Sequence, residues 1–228
     1  MTTPYYQDEN VTIYHGDCRE IIGELAFDVV VTDPPYGMSY QSNMRRGVNR
    51  AGFKPGKTHA PIVADTDASI RDSVLAMIGD TPSLVFGTWR VERPSSTKQL
   101  IVWDKGASPG MGDLKMPWGP SHEEIYVLGN GWTGKRGGNV LRHDCLMSGD
   151  SKRPNHPTPK PEGLMAALIL KCPPGVILDP FMGSGTTLRA AKDLGRKAIG
   201  IELDEKYCEI AAKRMAQGVL DFGPGQAS

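Results

Sequence analysis

The chain has 228 residues, of which 39% are hydrophobic and 23% charged, with 26 basic and 26 acidic side chains. This length suits a single domain over residues 1–228, and the composition excludes a disordered, collagen-like or strongly basic packaging protein. No apolar run approaches the roughly 18 residues of a membrane helix, and the start MTTPYYQDEN lacks the features of a signal peptide. We therefore expect a soluble, cytoplasmic protein that contacts no membrane.

Short, β-branched apolar runs lie between helical patterns along the chain. The runs do not alternate cleanly with polar residues, which is typical of strands covered on both faces. Helical patterns follow Asp17, Pro161 and Asp204, and another precedes Gly195. The predicted strands are Val11–Tyr14, Phe27–Thr32, Ser83–Trp89, Gln99–Trp103, Glu124–Leu128, Val176–Leu178 and Lys197–Ile201. Strands alternating with helices predict a doubly wound α/β sheet.

The four cysteines, Cys18, Cys145, Cys172 and Cys208, include no C-x-x-C pair and have no histidine at ligand spacing. Structural zinc sites need such clusters, so we expect reduced thiols and no metal. The cysteines indicate no function.

Two irregular segments concentrate positive charge in a chain without net charge. Gly37–Ala64 contains no acidic residue, and Asn130–Lys160 has six basic residues against Asp144 and Asp150. Each segment is either a solvated loop or a mobile basic surface for a polyanion. The basic residues are Arg45, Arg46, Arg50, Lys54 and Lys57 in the first, and Lys135, Arg136, Arg142, Lys152, Arg153 and Lys160 in the second.

The first motif is Thr-Asp-Pro-Pro-Tyr-Gly, which directly follows the apolar run Val29–Val31. Open α/β sheets bind ligands at the carboxyl ends of their strands, where this motif falls. Asp33 and the Pro34 carbonyl can accept hydrogen bonds from a group with two N–H donors, and Tyr36 can stack on an aromatic ring. The alternative is an ordinary Asp-Pro turn, which the length of the motif disfavours.

The second motif is Asp-Pro-Phe-Met-Gly-Ser-Gly-Thr-Thr, which begins at Asp179 and precedes a helix and a strand that ends at Glu202. Glycines let a ligand approach the backbone, and an acid after the next strand suits a ribose diol. A dinucleotide fingerprint would need glycine where Leu188 stands, and no segment forms a phosphate-binding P-loop. The motif therefore favours an adenosine ligand without phosphates.

Together the two motifs resemble those of the amino DNA methyltransferases, which use S-adenosylmethionine. The catalytic motif comes first, then His156-Pro157-Thr158-Pro159-Lys160-Pro161, then the cofactor motif, an order that resembles the beta group of the family. This resemblance implies a Rossmann-like fold with circularly permuted motifs. The blocks Trp103-Asp104-Lys105 and His122-Glu123-Glu124-Ile125 are similar to weaker motifs of the group.

The resemblance also implies a role for individual residues. His156 could instead be a packed or capping histidine, and Lys160 a solvated residue at a helix start. The implied catalytic set is Asp33, Pro34, Pro35 and Tyr36. The implied cofactor contacts are Asp17, His156, Lys160, Asp179, Phe181, Gly183, Ser184, Gly185, Thr186 and Glu202. The predicted DNA contacts are Arg45, Arg46, Arg50, Lys54, Arg136 and Arg142, carried by the basic loop 37–64 and by a short candidate recognition insert, 131–155.

The implied reaction is methyl transfer to N6 of adenine in a specific sequence of double-stranded DNA, with the target base flipped out of the helix. Asp before Pro-Pro-Tyr is the family habit for adenine and Ser for cytosine, while N4 of cytosine offers the same chemistry. An RNA or protein amide substrate fits less well, and a module that binds cofactor or DNA without turnover is the remaining alternative. A bacterial or phage enzyme acting at the nucleoid is implied, and a homodimer and a paired restriction endonuclease remain open.

Overall fold

The computed structural model describes residues 2–35, 68–106, 115–145 and 160–217. In these ranges one sheet of nine strands has the order β1-β2-β9-β8-β3-β4-β6-β5-β7. The strands are β1 (Tyr6–Gln7), β2 (Val11–His15), β3 (Val29–Thr32), β4 (Ser83–Gly87), β5 (Gln99–Asp104), β6 (His122–Leu128), β7 (Val140–Arg142), β8 (Ile177–Asp179) and β9 (Ala198–Glu202). The helices are α1 (Cys18–Ile21), α2 (Ser69–Ile78), α3 (Glu162–Ile169), α4 (Thr186–Asp193) and α5 (Glu205–Ala216), with a 3₁₀ turn at Ile22–Glu24.

The five neighbouring strands β2, β9, β8, β3 and β4 run parallel, whereas β6 runs antiparallel to β4 and to β5. The carboxyl ends of the parallel strands therefore meet at one edge of the sheet, which we call the site edge. Because β6 is reversed, its amino end lies at the same edge. The catalytic and cofactor motifs, far apart in the chain, end on the adjacent strands β3 and β8.

Helices cover both faces of the sheet, as the sequence pattern predicts. Val29 and Val31 pack with α3, α4 and α5 on one face, while Val30 packs with α1 and α2 on the other. All four residues of β3 are buried, because a strand between two helical layers has no solvated side. The α/β fold is therefore confirmed, with a mixed rather than a purely parallel sheet.

The seven predicted strands are all present, with shifted ends. Phe27 and Asp28 precede β3, where Asp28 instead bonds to the Val176 amide through its carboxylate. The edge strands β1 and β7 were not predicted, because two or three residues are too few for a periodic pattern.

All four cysteines fall in the described ranges, and none forms a disulfide. No helix in those ranges is long and apolar enough to cross a membrane.

Candidate active site

Asp33 is the first residue after the buried strand β3, so its carboxylate emerges at the site edge. The preceding Thr32 is buried and donates a hydrogen bond of 2.7 Å from Oγ1 to Oδ1 of Asp179. This bond ties the end of β3 to the end of β8. The catalytic and cofactor motifs are thus joined directly by two of their own side chains.

Asp179 is buried and organises the turn that follows β8. Its Oδ1 accepts from Thr32 and from the Phe181 amide, and its Oδ2 accepts from Thr187 Oγ1 at 2.6 Å. Burial raises the pKa of Asp179 to about 6, although the hydroxyl hydrogen bonds favour the ionised form. Because the side chain is buried and the protein engages both of its oxygens, the geometry favours a structural role for it, and a contact with the cofactor stays a prediction.

The glycine turn between β8 and α4 is fixed by Glu202 from the neighbouring strand. Gly183 and Gly185 have φ of 52° and 77°, conformations that favour glycine. The Gly183 amide donates to Glu202 Oε2 at 2.9 Å, and Asp204 N donates to Oε1 at 2.8 Å. Burial raises the pKa of Glu202, and these backbone bonds oppose the rise. Each oxygen retains a lone pair, so the carboxylate can still accept from a ribose diol.

Arg214 was missed in the sequence, although it supports the same turn from α5. Its guanidinium donates to the Ser184 carbonyl at 3.3 Å and to Thr186 Oγ1 at 3.1 Å, and it pairs with Glu162 of α3. Ser184 and Thr186 are buried beneath it. An arginine in the last turn of a helix has an ordinary explanation in the helix dipole, so its position gave no signal of this role.

Asp17 lies beside Glu202 because β2 and β9 are neighbours. The Gly16 amide donates to the Glu202 carbonyl at 2.9 Å, which places Asp17 next to the end of β9. Asp17 caps α1 and pairs with Arg19, whose hydrogen bonds lower the pKa of Asp17. The two acids predicted to flank an adenosine thus lie on adjacent strand ends.

Lys160 contacts Asp33, the predicted catalytic acid. Its Nζ lies 2.6 Å from Asp33 Oδ2 and 2.9 Å from Glu123 Oε2. Glu123 Oε1 in turn pairs with Lys105 Nζ at 2.5 Å. Lys160 precedes α3, which runs from the site edge toward the start of β8, so the chain delivers its side chain to Asp33. The predicted contact of Lys160 with the cofactor stays a prediction beside this observed one.

Two aromatic rings enclose the Lys160 side chain, which is 9% exposed. Its ammonium lies 4.8 Å from the centre of the Phe86 ring and 5.8 Å from that of Trp103. Burial alone would lower the pKa of Lys160, but the carboxylates of Asp33 and Glu123 raise it above its ordinary value. For Glu123, Lys160 and Lys105 likewise outweigh burial and lower its pKa. Glu123 and Lys105 belong to the two weaker motifs, and nothing in the sequence of those motifs indicated that these side chains pair.

The structure separates the two arginines predicted in the recognition insert. Arg142 ends β7 opposite Asp104, at the site edge. The Thr133 amide donates to the Lys171 carbonyl, and Lys171 Nζ donates to the Lys135 carbonyl, so Arg136 lies beside the carboxyl end of α3, at the opposite edge.

Outside the described residues lie Tyr36, His156, the loop 37–64 with Arg45, Arg46, Arg50 and Lys54, and residues 146–155 of the insert.

Comparison with known proteins decides the family. The DNA methylase family profile for N6 and N4 methylation matches residues 94–213. The type II methyltransferase M2.DpnII of Streptococcus pneumoniae is 52% identical over 253 residues, which cover 94% of this chain and 93% of that protein. The chain belongs to this family of DNA methyltransferases. M2.MboI of Moraxella bovis is 27% identical over 246 residues, which cover 92% of this chain and 90% of that protein.

Solved structures agree with the fold and the cofactor. The M1.HpyAVI–SAM complex matches with a TM-score of 0.62 and 25% identity, covering 91% of this chain and all of that one. The cytosine-N4-specific PvuII methyltransferase matches with a TM-score of 0.68 at 15% identity, covering 95% of this chain and 90% of that one, which supports the fold. This protein is therefore an S-adenosylmethionine-dependent DNA methyltransferase of the N6/N4 type. The glycine turn lets a ligand approach its backbone, and the Glu202 carboxylate can accept from a ribose diol, so both fit that cofactor. Circular permutation, inferred from motif order, stays a prediction.

Proposed function

We propose that the protein methylates N6 of adenine in double-stranded DNA. The observation that carries the proposal is the place of Asp33: its carboxylate stands at the end of β3, next to the turn held by Asp179 and Glu202. An amine held by Asp33 would therefore face a methyl donor held at that turn.

Asp33 and Pro34 would activate the amine by accepting its two hydrogens. The lone pair of an exocyclic amine is delocalised into the ring, and two accepted hydrogen bonds draw the nitrogen toward tetrahedral geometry. Pro34 and Pro35 lack amide hydrogens, so neither proline donates to the Pro34 carbonyl. When bound, S-adenosylmethionine supplies a methyl group activated by its sulfonium. The protein contributes alignment, worth up to roughly 7–11 kcal/mol in favourable cases, and the Asp33 charge, which stabilises the amine as it becomes positive.

The base must leave the helix to reach Asp33, because its amine is paired inside a duplex. Tyr36 directly follows the proline pair and is predicted to stack on the flipped base. Unstacking costs a few kcal/mol, which stacking on Tyr36 and contacts to the flanking phosphates must offset. We expect the enzyme to act in the cytoplasm of a bacterium, where a paired restriction endonuclease and a homodimer stay predictions.

Product analysis tests the proposal. The purified protein is incubated with S-adenosylmethionine and bacterial genomic DNA that carries no methylated bases, and the nucleosides are separated by mass spectrometry. We expect N6-methyladenine from the wild type and at least about a hundred-fold less from Asp33→Asn, the scale for loss of a preorganised charge. N4-methylcytosine would replace adenine by cytosine as the target. Equal turnover by the two proteins would refute the role of Asp33.

A further inference from the structure

Four charged side chains of alternating sign form a series of ion pairs that ends at the proposed catalytic acid, and we call these four residues the ion cluster. Lys105 pairs with Glu123, Glu123 with Lys160, and Lys160 with Asp33. The members come from the ends of β5, β6 and β3 and from the segment that leads into α3, two residues before the helix begins, so the fold itself assembles them. Their charges sum to zero.

This cluster differs from an ordinary surface ion pair. Exposed pairs contribute little because water screens them and the long side chains lose entropy. Here the lysine at the centre is buried against Phe86 and Trp103, and Trp103 is itself fixed by a hydrogen bond of 2.8 Å from its indole nitrogen to the His143 carbonyl. A buried ammonium needs partners of opposite charge, and Asp33 and Glu123 are such partners of Lys160.

We propose that Lys160 and Glu123 are positioning residues for methyl transfer: Lys160 orients the Asp33 carboxylate, and Glu123 both holds Lys160 and balances its charge. The proposal rests on the proposed function, in which Asp33 accepts a hydrogen from the amine. Lys160 pairs with Oδ2 of Asp33, and we expect Oδ1 to accept the hydrogen bond from the substrate amine. A lone ammonium beside the amine would oppose the positive charge that develops there, and Glu123 removes that opposition.

The titratable groups near Lys160 come from several elements of the fold. Among the described residues, Asp33 comes from β3, Glu123 from β6, Lys105 from the end of β5, and the thiol of Cys145 follows β7. Of these, Asp33 and Glu123 keep the lysine protonated, while burial favours its neutral form. Loss of the Glu123 charge therefore shifts the balance toward deprotonation at a lower pH.

Glu123→Gln tests the proposal, because it removes the charge and keeps the shape. We expect kcat to fall about ten- to a hundred-fold while the KM for S-adenosylmethionine changes less than about two-fold. We also expect the alkaline limb of kcat against pH to move to lower pH. A purely structural role for Glu123 would not move that limb.

Glu124→Gln is the matched control. Glu124 is the next residue of β6 and is more deeply buried than Glu123, but it points to the other face, where it pairs with Arg93 and accepts from the Tyr126 hydroxyl. We expect this variant to lose stability in thermal unfolding and to keep the wild-type pH profile. A shift of the alkaline limb in Glu124→Gln equal to that in Glu123→Gln would overturn the proposal.

Lys160→Arg and Lys160→Gln give an independent test. We expect the arginine to retain a measurable part of kcat and the glutamine to lose about a hundred-fold, with calorimetric affinity for S-adenosylmethionine close to the wild type in both. If Lys160→Gln instead weakens cofactor affinity and leaves kcat unchanged, the lysine is a cofactor contact and the proposal fails. Loss of activity in Asp33→Asn with unchanged kcat in Glu123→Gln would refute this proposal alone. Full activity in Asp33→Asn would refute the proposed function instead.

Discussion

Asp33, Asp179 and Glu202 end three neighbouring strands, and the protein surrounds each carboxylate differently. Asp33 pairs with the ammonium of Lys160, Asp179 accepts from two threonine hydroxyls, and Glu202 accepts from two backbone amides. Burial raises the pKa of Asp179 and of Glu202. The same side-chain chemistry therefore fixes the turn through Asp179, and by our proposal it serves the amine through Asp33 and the cofactor through Glu202.

Glu202→Gln is expected to weaken binding of S-adenosylmethionine. The amide keeps one acceptor oxygen for the turn but loses the charge that strengthens hydrogen bonds to a ribose diol. Loss of a charged hydrogen bond costs roughly 1.5–3 kcal/mol, which is ten- to a hundred-fold in affinity. Calorimetry on the folded variant measures this, with Asp33→Asn as the control that should bind the cofactor normally. Unchanged affinity in Glu202→Gln would place the ribose elsewhere.

Asp179→Asn is expected to change how stability depends on pH. The folded protein raises the pKa of Asp179 from 3.8 to about 6, so it binds this proton more tightly than the unfolded chain does. The group therefore stabilises the fold below about pH 4, and this contribution is lost as pH rises through about 6. Relative to the wild type, the free energy of unfolding of the variant should rise by on the order of 1–3 kcal/mol between acid and neutral pH. Urea unfolding at several pH values measures the difference.

Asp8→Asn is the control with the opposite sign. Burial disfavours the Asp8 carboxylate, but bonds from Lys192 and from backbone amides lower its pKa to about 2. Its stabilisation is present above pH 4 and is lost as pH falls toward 2. The two variants should therefore diverge from the wild type in opposite directions. Parallel pH profiles for both would contradict the assigned environments.

At the scale of elements, the reversed strand β6 decides what reaches the site. A sixth parallel strand would place its carboxyl end at the site edge, and Glu123, near the amino end of β6, would lie far from Asp33. Because β6 runs antiparallel to β4, Glu123 faces Trp103 of β5 in the register of the sheet and meets Lys160. The direction of one strand thus assembles the ion cluster.

Gly200→Ala is expected to disrupt the packing of β9 against the glycine turn between β8 and α4. A Cβ at this position would lie 2.4 Å from Met182 Sδ and 2.7 Å from Leu188 Cδ2, both in a packed core. Overpacking of this kind costs typically about 1–3 kcal/mol and should also weaken cofactor binding, because Met182 belongs to the turn. The matched control is Gly138→Ala, where no atom lies within 4 Å. Equal thermal stability of the two variants would contradict the close contact.

At the scale of the whole molecule, the two edges of the sheet have different chemistry. The site edge carries Asp33, Glu202 and the exposed Arg142. Two exposed tryptophans adjoin strand ends at this edge: Trp89 follows β4 and is 67% exposed, and Trp118 precedes β6 and is 80% exposed. Arg136 lies at the other edge with Lys171. The arginines of the predicted recognition insert therefore lie at opposite edges of the sheet, and their predicted contacts with DNA stay predictions.

Arg142→Ala is expected to weaken DNA binding, whereas Arg136→Ala should bind like the wild type. A side chain that neutralises a phosphate near the flipped base should reduce the salt dependence of affinity by a slope of about 0.9 when it is removed. Titration of a labelled duplex at several salt concentrations measures both slopes. If Arg136→Ala changes the slope and Arg142→Ala does not, the DNA follows the opposite edge.

The sequence by itself determined the strands of the core and the two strong motifs. Each strand and motif is specified by residues that are neighbours in the chain. An apolar β-branched run forms the strand, and an acid with prolines or glycines forms the turn that follows it. Two strands and the residues after them could therefore be predicted without the rest of the fold: Val29–Thr32 with Asp33, and Ile177–Asp179 with Gly183.

Only the tertiary structure decided which charges meet. Asp33, Lys160, Glu123 and Lys105 lie on separate elements, and their contact depends on strand order and on the direction of β6. Hydrophobic periodicity specifies which face of a strand is buried, but it carries no information about which strand lies beside it. For the same reason the sequence grouped Arg136 with Arg142, although the sheet holds them at opposite edges.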